Sequence, residues 1–288
     1  MNTIWSKYVQ GTKTLYYSRK LRFDDLFSEQ YRNLFGLDAK QQLKILEIGC
    51  GPGALAGALH RWYPLAEITA VDRDSEFIRF GTENEPGVNF VEGDATALPF
   101  EDNTFDISNT VAEHIEPSKF YGEQLRVLKP GGICLVLSSR KGININPSCI
   151  TFNEYEQQFW KKAEQHDDSM DRFAVCKYPM NEAEMPVVMS EYGFSNVSTG
   201  FATIDLTPDN PKFSAPLALD MINANRYTAL DGIDSVLHTM PEHFTTGEVE
   251  EMKRLANAKY DTRIEQYQRG EKQWDTNVSI IMVIRGTK

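Results

Sequence analysis

The spacing of apolar and polar positions divides the chain into stretches with different periods. Before residue 40, Trp5, Tyr8, Tyr16, Tyr17, Phe23, Phe27, Tyr31 and Phe35 recur at helical intervals, which predicts amphipathic helices with an aromatic face. From Lys44 short apolar runs alternate with helical patterns. Strands are predicted at 44–48, 67–71, 88–91, 105–108 and 133–137. Helices are predicted over 53–63, from Ser75 onward, and over Pro117 to Leu128, where the proline suits a first turn. Lys129-Pro130-Gly131-Gly132 reads as a turn into the fifth strand. Such alternation implies a doubly wound parallel α/β sheet with ligand sites at the carboxyl ends of its strands.

After Ser139 the rhythm changes. Helices are predicted around Glu154–Gln165 and Asn181–Tyr192, a strand over Phe194–Leu206, and a closing strand from Val278 to Ile284. Residues 207–275 read as helical and irregular, punctuated by Pro208, Pro211, Pro216 and Pro241. The expected organisation is a helical cap at 1–40, a ligand-binding core at 41–140, lid insertions at 141–178 and 207–275, and closing elements of the core at 179–206 and 276–288.

The most informative stretch is Leu46-Glu47-Ile48-Gly49-Cys50-Gly51-Pro52-Gly53. A short apolar strand ends in an acid and alternating glycines, and an apolar helix start follows. Glycines at that spacing let a ligand lie against the backbone, and the helix points free N–H groups at the same place. Gly49-x-Gly51-x-x-Ala54 alone also satisfies a dinucleotide fingerprint.

Composition narrows the choice of ligand. The net charge is −11 over 288 residues, which disfavours a nucleic-acid partner held by broad phosphate contact. Cys50, Cys134, Cys149 and Cys176 stand singly, so neither a metal centre nor a disulfide framework is signalled. Cys50 and Cys134 are expected in the core. No apolar signal region opens the chain and no run approaches the roughly 20 residues needed to cross a bilayer, so a cytoplasmic location is expected.

These pieces, with Val71-Asp72, Gly93-Asp94-Ala95, Leu98-Pro99-Phe100, Phe105-Asp106, Glu113-His114-Ile115 and Leu128-Lys129-Pro130-Gly131-Gly132 in order, resemble the class I S-adenosylmethionine-dependent methyltransferases. The resemblance is to the small-molecule branch that includes the ubiquinone/menaquinone-biosynthesis type, and it is strongest over 44–140. It implies a mostly parallel seven-stranded Rossmann-like sheet with helical lid insertions. It also implies S-adenosyl-L-methionine as cofactor, S-adenosyl-L-homocysteine as product, and in-line methyl transfer to a small acceptor.

The implied cofactor contacts fall on Glu47, Gly49, Cys50, Gly51, Gly53, Asp72, Arg73, Asp94, Ala95 and Asn109. Glu47 stands where the family places an acid near the cofactor's ammonium. Gly49, Gly51 and Gly53 admit the methionine part and the ribose. Asp72, about 20 residues past the loop, can accept from both ribose hydroxyls. Asp94 takes the place of the family's acid for the adenine amino group, with the Ala95 N–H toward the ring and Arg73 either stacked on it or solvated. Phe105-Asp106 and Glu113-His114 are about two residues closer than in the family pattern, and Asn109, with Thr110 second, is the choice for the backbone contact after the fourth strand.

His114 is the candidate general base, needed only if the acceptor must lose a proton; its other reading is packing beside the turn. His166, His238 and His243 fall in the lid segments. The lid aromatics Phe152, Tyr155, Phe159, Trp160, Tyr178, Phe213, Tyr227 and Phe244 suggest a partly apolar or planar acceptor, although core packing also explains such residues. A non-catalytic cofactor-binding protein and, more remotely, a nicotinamide-dependent oxidoreductase are the competing readings. Oligomeric state is not legible.

Overall fold

The computed structural model describes residues 5–110, 114–139, 148–167 and 177–288. The chain divides into two units. A sheet unit comprises the described parts of Arg22–Ile143, Cys176–Ile204 and Ser279–Lys288; a helical unit comprises those of Met1–Leu21, Asn144–Val175 and Asp205–Val278.

In the sheet unit seven strands are ordered β3-β2-β1-β4-β5-β7-β6. They are β1 Lys44–Ile48, β2 Glu67–Asp72, β3 Asn89–Glu92, β4 Phe105–Thr110, β5 Leu128–Ser139, β6 Ser195–Asp205 and β7 Val278–Thr287. The β1–β2, β2–β3, β1–β4 and β4–β5 pairs are parallel, and β5–β7 is antiparallel. This is the expected doubly wound, mostly parallel sheet. The chain winds outward from β1 to β3 and returns to the other side of β1 as β4. The reversal makes the crevice between the carboxyl ends of β1 and β4 the place where such sheets bind ligands.

The connecting helices arise from recognisable local signals. Asp74 accepts from the Glu76 N–H and caps α5 (Ser75–Asn84), and Pro117 opens α6 (Pro117–Val127). α4 (Ala54–Trp62) begins after Gly53, which is left-handed at φ 87°. One sheet face buries Leu46, Ile48, Val71, Cys134 and Val136 against Phe120 and Tyr121 of α6 and Met185 and Met189 of α8 (Glu184–Glu191). In the same unit Tyr31 of α3 (Ser28–Phe35) stacks on Trp62 of α4, 5.4 Å between centroids, and packs against Phe23 and Phe35. These aromatics of the first 40 residues are therefore core. Gln30 donates to the Thr203 carbonyl and accepts from the Thr203 N–H, so one side-chain amide covers part of the β6 backbone.

Two expectations needed correction. Lys129-Pro130-Gly131-Gly132 is not a turn before β5 but its irregular first part; the pairing shifts between Phe105 and Ile107, and Gly131 takes φ 79°. A shifted register tolerates the proline that a regular ladder would reject. β4 also runs to Thr110, two residues beyond its predicted end, so Asn109 lies inside the strand rather than after it.

The helical unit contains α1 (Trp5–Tyr8), most of α2 (Thr12–Arg22), α7 (Glu154–His166), α9 (Ala215–Thr239) and α10 (Thr246–Gln268). Asn153 with Glu156 and Thr245 with Glu248 form capping boxes at the starts of α7 and α10. Pro216, read as punctuation, occupies the first turn of α9, where a proline costs nothing. Phe159, Ile233, Val236, Phe244, Val249 and Met252 form the unit's core.

Candidate functional site

Along the sheet face that carries Glu47, polarity appears row by row. The row Ile68–Ile45–Ile107–Ile133 is wholly apolar. The next row toward the carboxyl ends is Ala70–Glu47–Asn109–Leu135. Glu47 and Asn109 are register neighbours on β1 and β4, the two strands that bound the crevice. Both are buried. Glu47 Oε2 and both side-chain amide atoms of Asn109 have no hydrogen-bond partner among the described residues. Burial, and then the nearby Asp72, pushes the Glu47 carboxyl well above its ordinary value, against the lowering effect of the Ala56 N–H.

The glycine loop folds back on β2. The N–H groups of Gly49 and Cys50 donate to the Val71 carbonyl at 2.8 and 3.0 Å. The Gly51 N–H donates to Asp72 Oδ2 at 2.8 Å, and the Asp74 N–H to Asp72 Oδ1 at 2.9 Å. Asp72 thereby ties the loops after β1 and β2 together, and each oxygen keeps a lone pair. Burial raises its pKa, while these two N–H groups and Arg73 oppose the shift.

The glycines differ in what they do. Gly49 is exposed at φ 69°, and a Cβ there would meet nothing within 4 Å, so open space lies against its backbone. Gly53 has no such space: a Cβ would fall 2.5 Å from the Phe90 ring. Its side-chain-free backbone serves the packing of α4 against Phe90, a reason the sequence reading did not give. Cys50 is buried as expected, and its thiol is pushed well up by burial and by Glu47 and Asp72. Cys134 is likewise buried.

Asp94 is exposed after β3 and accepts from the N–H and hydroxyl of Thr96, both at 2.8 Å, which hold its carboxyl below the ordinary value. Ala95 is half-buried and packs on the sheet core. Arg73 is exposed, and its charge lowers the pKa values of both Asp72 and Asp94. Arg73 thus lies within electrostatic reach of Asp72 and Asp94, and Asp72 within reach of Glu47.

His114 is half-buried in the turn before α6. Glu113 and Cys176 lie outside the described residues. His166 and His243 stack on each other at 3.7 Å, both exposed, and His238 is exposed on α9. Of the lid aromatics, Phe159, Phe213 and Phe244 are buried, with Phe159 and Phe244 in the helical unit's core; Phe152, Tyr155 and Tyr227 are exposed.

Sequence reasoning missed two polar clusters. On the sheet face opposite Asn109, the Tyr121 hydroxyl and both amide atoms of Gln124 are buried without partners among the described residues. Cys134, paired with Ser108 across the strands, has its thiol raised to about 12 by burial. In the helical unit Arg263 is buried and ion-paired to Asp209 and Asp275 at 2.7 and 2.6 Å. Its signal was a charge on the stripe Val249, Met252, Ala256, Tyr260, Arg263, otherwise built from apolar and aromatic residues.

Residues 46–136 match the model of a family described as a methyltransferase domain. The chain is 39% identical over 107 residues to a fatty-acid O-methyltransferase of Mycolicibacterium smegmatis, covering 35% of this chain and 39% of that protein. It is 41% identical over 102 residues to phthiotriol/phenolphthiotriol dimycocerosates methyltransferase 1 of Mycobacterium ulcerans, covering 34% and 38%. The matches thus span well under half of either relative. Among solved structures, the Haemonchus contortus phosphoethanolamine N-methyltransferase 2 in complex with S-adenosyl-L-methionine superposes with TM-score 0.53 at 17% identity, covering 99% of this chain and 59% of that one.

Proposed function

We propose, from the premise that this chain carries a class I methyltransferase domain over residues 46–136, that it binds S-adenosyl-L-methionine at the carboxyl ends of β1 to β4 and methylates a small-molecule acceptor. The observation that carries this reading is the buried Glu47 carboxyl, one oxygen of which has no hydrogen-bond partner among the described residues, two positions before the bare backbone of Gly49. Three carboxyl groups, Glu47, Asp72 and Asp94, against one arginine at the carboxyl ends of β1, β2 and β3 favour a ligand with cationic groups. They oppose a pyrophosphate, which disfavours the nicotinamide reading.

Bound there, the cofactor would supply a sulfonium methyl with a neutral thioether leaving group. The protein's task is then alignment and exclusion of water rather than strong acid–base work. Asp72 is assigned to the ribose hydroxyls, Asp94 and the Ala95 N–H to the adenine, and Glu47 to the ammonium. Arg73 is placed beside the adenine, where its charge already acts on Asp72 and Asp94. Gly49 and Gly51 let the ligand approach the backbone. His114 takes the acceptor's proton where the acceptor must lose one.

For the acceptor, the relatives named for fatty-acid O-methylation and for phthiotriol methylation support an oxygen on a largely apolar body. No helix among the described residues is long and apolar enough to cross a membrane. Free cysteines at 50, 134 and 149 suit a reducing compartment, and we place the reaction in the cytoplasm.

The test is a thermal shift with S-adenosylhomocysteine against NADH, on wild type and Asp72→Ala. Ligand at a hundred times its dissociation constant stabilises by about 2.7 kcal/mol. A shift with S-adenosylhomocysteine alone, lost in Asp72→Ala, is the expected result; a shift with NADH alone overturns the reading. Labelled methyl transfer to a panel of fatty acids and lipid alcohols then separates an enzyme from a protein that only binds the cofactor.

A further inference from the structure

The two edges of the sheet are finished differently. At one, β3 is four residues long and closes on Glu92; shortness and charge both discourage another strand from adding there. At the other, β6 is 11 residues long, and no residue from Tyr192 to Ile204 is charged or a proline, in a chain of net charge −11. Along a strand the N–H and C=O of one residue face one side and those of the next residue the other. The Thr203 N–H and C=O both bond Gln30, at 3.0 and 3.1 Å, while the Leu206 N–H bonds the Asn277 carbonyl just before β7. Val197, Thr199, Phe201 and Thr203 therefore turn their backbone groups outward. Gln30 covers those of Thr203; those of the other three have no partner among the described residues. The side chains of the same four residues share one face. There Val197 packs on the sheet core, Thr199 and Thr203 are exposed, and Phe201 is 49% exposed. On the other face Leu34 of α3 fills the space beside Gly200, so the edge is held in place.

We propose that β6 pairs with β6 of a second copy of this chain, antiparallel about a two-fold axis at Thr199. A strand edge carries donors and acceptors in alternation, so it is complementary to itself in that arrangement, as an isologous interface requires. Centred on Thr199, the pairing uses the whole open stretch from 197 to 201, and the bond from Gln30 to Thr203 ends the ladder on each side. Thr199 faces its own copy, and Phe201 faces the partner's Val197. Each pair exchanges both of its N–H···O bonds. The Phe201–Val197 contact, made twice, is an aromatic–β-branched pair of the kind that stabilises sheets, and it covers the ring that a single chain leaves exposed. Other registers are poorer. A shift toward Thr203 meets Gln30, and a shift toward Ser195 meets Asn196, whose left-handed φ of 50° breaks the strand. The chosen register also keeps like charges apart, because Asp205 and Glu191 lie beyond the paired stretch and neither faces its own copy. An interface built on so short a ladder is small, and the dimer exchanges with monomer.

Sedimentation equilibrium of the full chain over a concentration series tests the pairing. Wild type is expected to pass from monomer to dimer as its concentration rises. Thr199→Lys sets two ammonium groups opposite one another across the axis and should weaken the dimer by about tenfold or more. Thr199→Glu should do the same with two carboxylates. An equimolar mixture of the two variants is expected to associate again, because only at the axis does a residue face its own copy. Phe201→Thr keeps a strand-forming residue but removes the ring, and should weaken the dimer less than either charge does. Positions 199 and 201 are exposed, and a thermal melt of each variant confirms that the fold is kept. A wild type that stays monomeric throughout the series overturns the proposal. So does a dimer that Thr199→Lys leaves unchanged, or a mixture of the two folded variants that stays apart.

Discussion

Around Arg263 the helical unit buries a guanidinium and two carboxylates and closes them on one another. Around Glu47 the sheet unit buries a carboxyl and an amide and leaves them open. In the first cluster Asp209 Oδ2 accepts from Arg263 Nη2 and from the N–H groups of Gln273 and Trp274, while Asp275 receives Arg263 Nε at 2.8 Å. In the second, Glu47 Oε2 and the Asn109 amide have nothing of the kind. Burial is common to both, so burial alone does not mark a functional residue. Charge compensation separates them: Arg263, although its Nη1 has no hydrogen-bond partner among the described residues, stands between two carboxylates, whereas Glu47 Oε2 and the Asn109 amide atoms have no partner there at all.

The largest effect is expected from breaking the closed cluster. Arg263→Met leaves Asp209 and Asp275 buried without their counter-charge, at a cost of about 3–5 kcal/mol. Chemical denaturation should show that loss, and the triple change R263M/D209N/D275N should recover much of it. A loss below about 1 kcal/mol for Arg263→Met would mean that the cluster is more hydrated than its geometry indicates, and the contrast with Glu47 would weaken.

The open cluster should respond in the opposite direction. The Glu47 carboxyl is raised by burial, so its folded-state pKa exceeds its unfolded value. Its contribution to stability is fully present below the unfolded value and is lost as pH rises through the folded one. Glu47→Gln removes that loss. The unliganded variant should therefore match wild type near pH 4 and exceed it by on the order of 1 kcal/mol near pH 8. The same change should weaken S-adenosylhomocysteine binding. A variant that is less stable at every pH would assign Glu47 a structural role and remove it from the site.

How much of this contrast could be read from sequence depends on the range of the interactions. The glycine loop, the strand ends at Asp72 and Asp94 and the capped helix starts are local, each encoded within a few residues, and the doubly wound parallel character of the sheet follows from their alternation. The pattern alone points to Asn109 for its backbone, because it ends β4 two residues before the strand does. Only the pairing with β1 and β5 shows that its side chain is buried beside Glu47. The packing of Gly53 on Phe90 and the Arg263–Asp209–Asp275 cluster join residues far apart in the chain. No local pattern carries such partnerships, although a charge on the buried stripe of α10 hinted at the second.

The smallest effect comes from a charge that is satisfied at the surface, and it sharpens the comparison through its sign. Glu248 closes the capping box of α10 with Thr245 and receives Lys162 at 2.9 Å. The Lys162 hydrogen bond first, and then the Thr245 N–H and hydroxyl, hold its carboxyl down at about 2. A folded-state value below the unfolded one means that stability is present above the unfolded value and lost as pH falls toward 2. Its side chain is 33% exposed, so solvent screening limits Glu248→Gln to a loss of about 0.5–1 kcal/mol at neutral pH. Below about pH 2 that loss should vanish. The two glutamate-to-glutamine variants, compared across pH, should thus diverge from wild type in opposite senses at neutrality and converge on it in acid. Two curves of the same sign would show that satisfaction of the carboxylate does not distinguish the two regions.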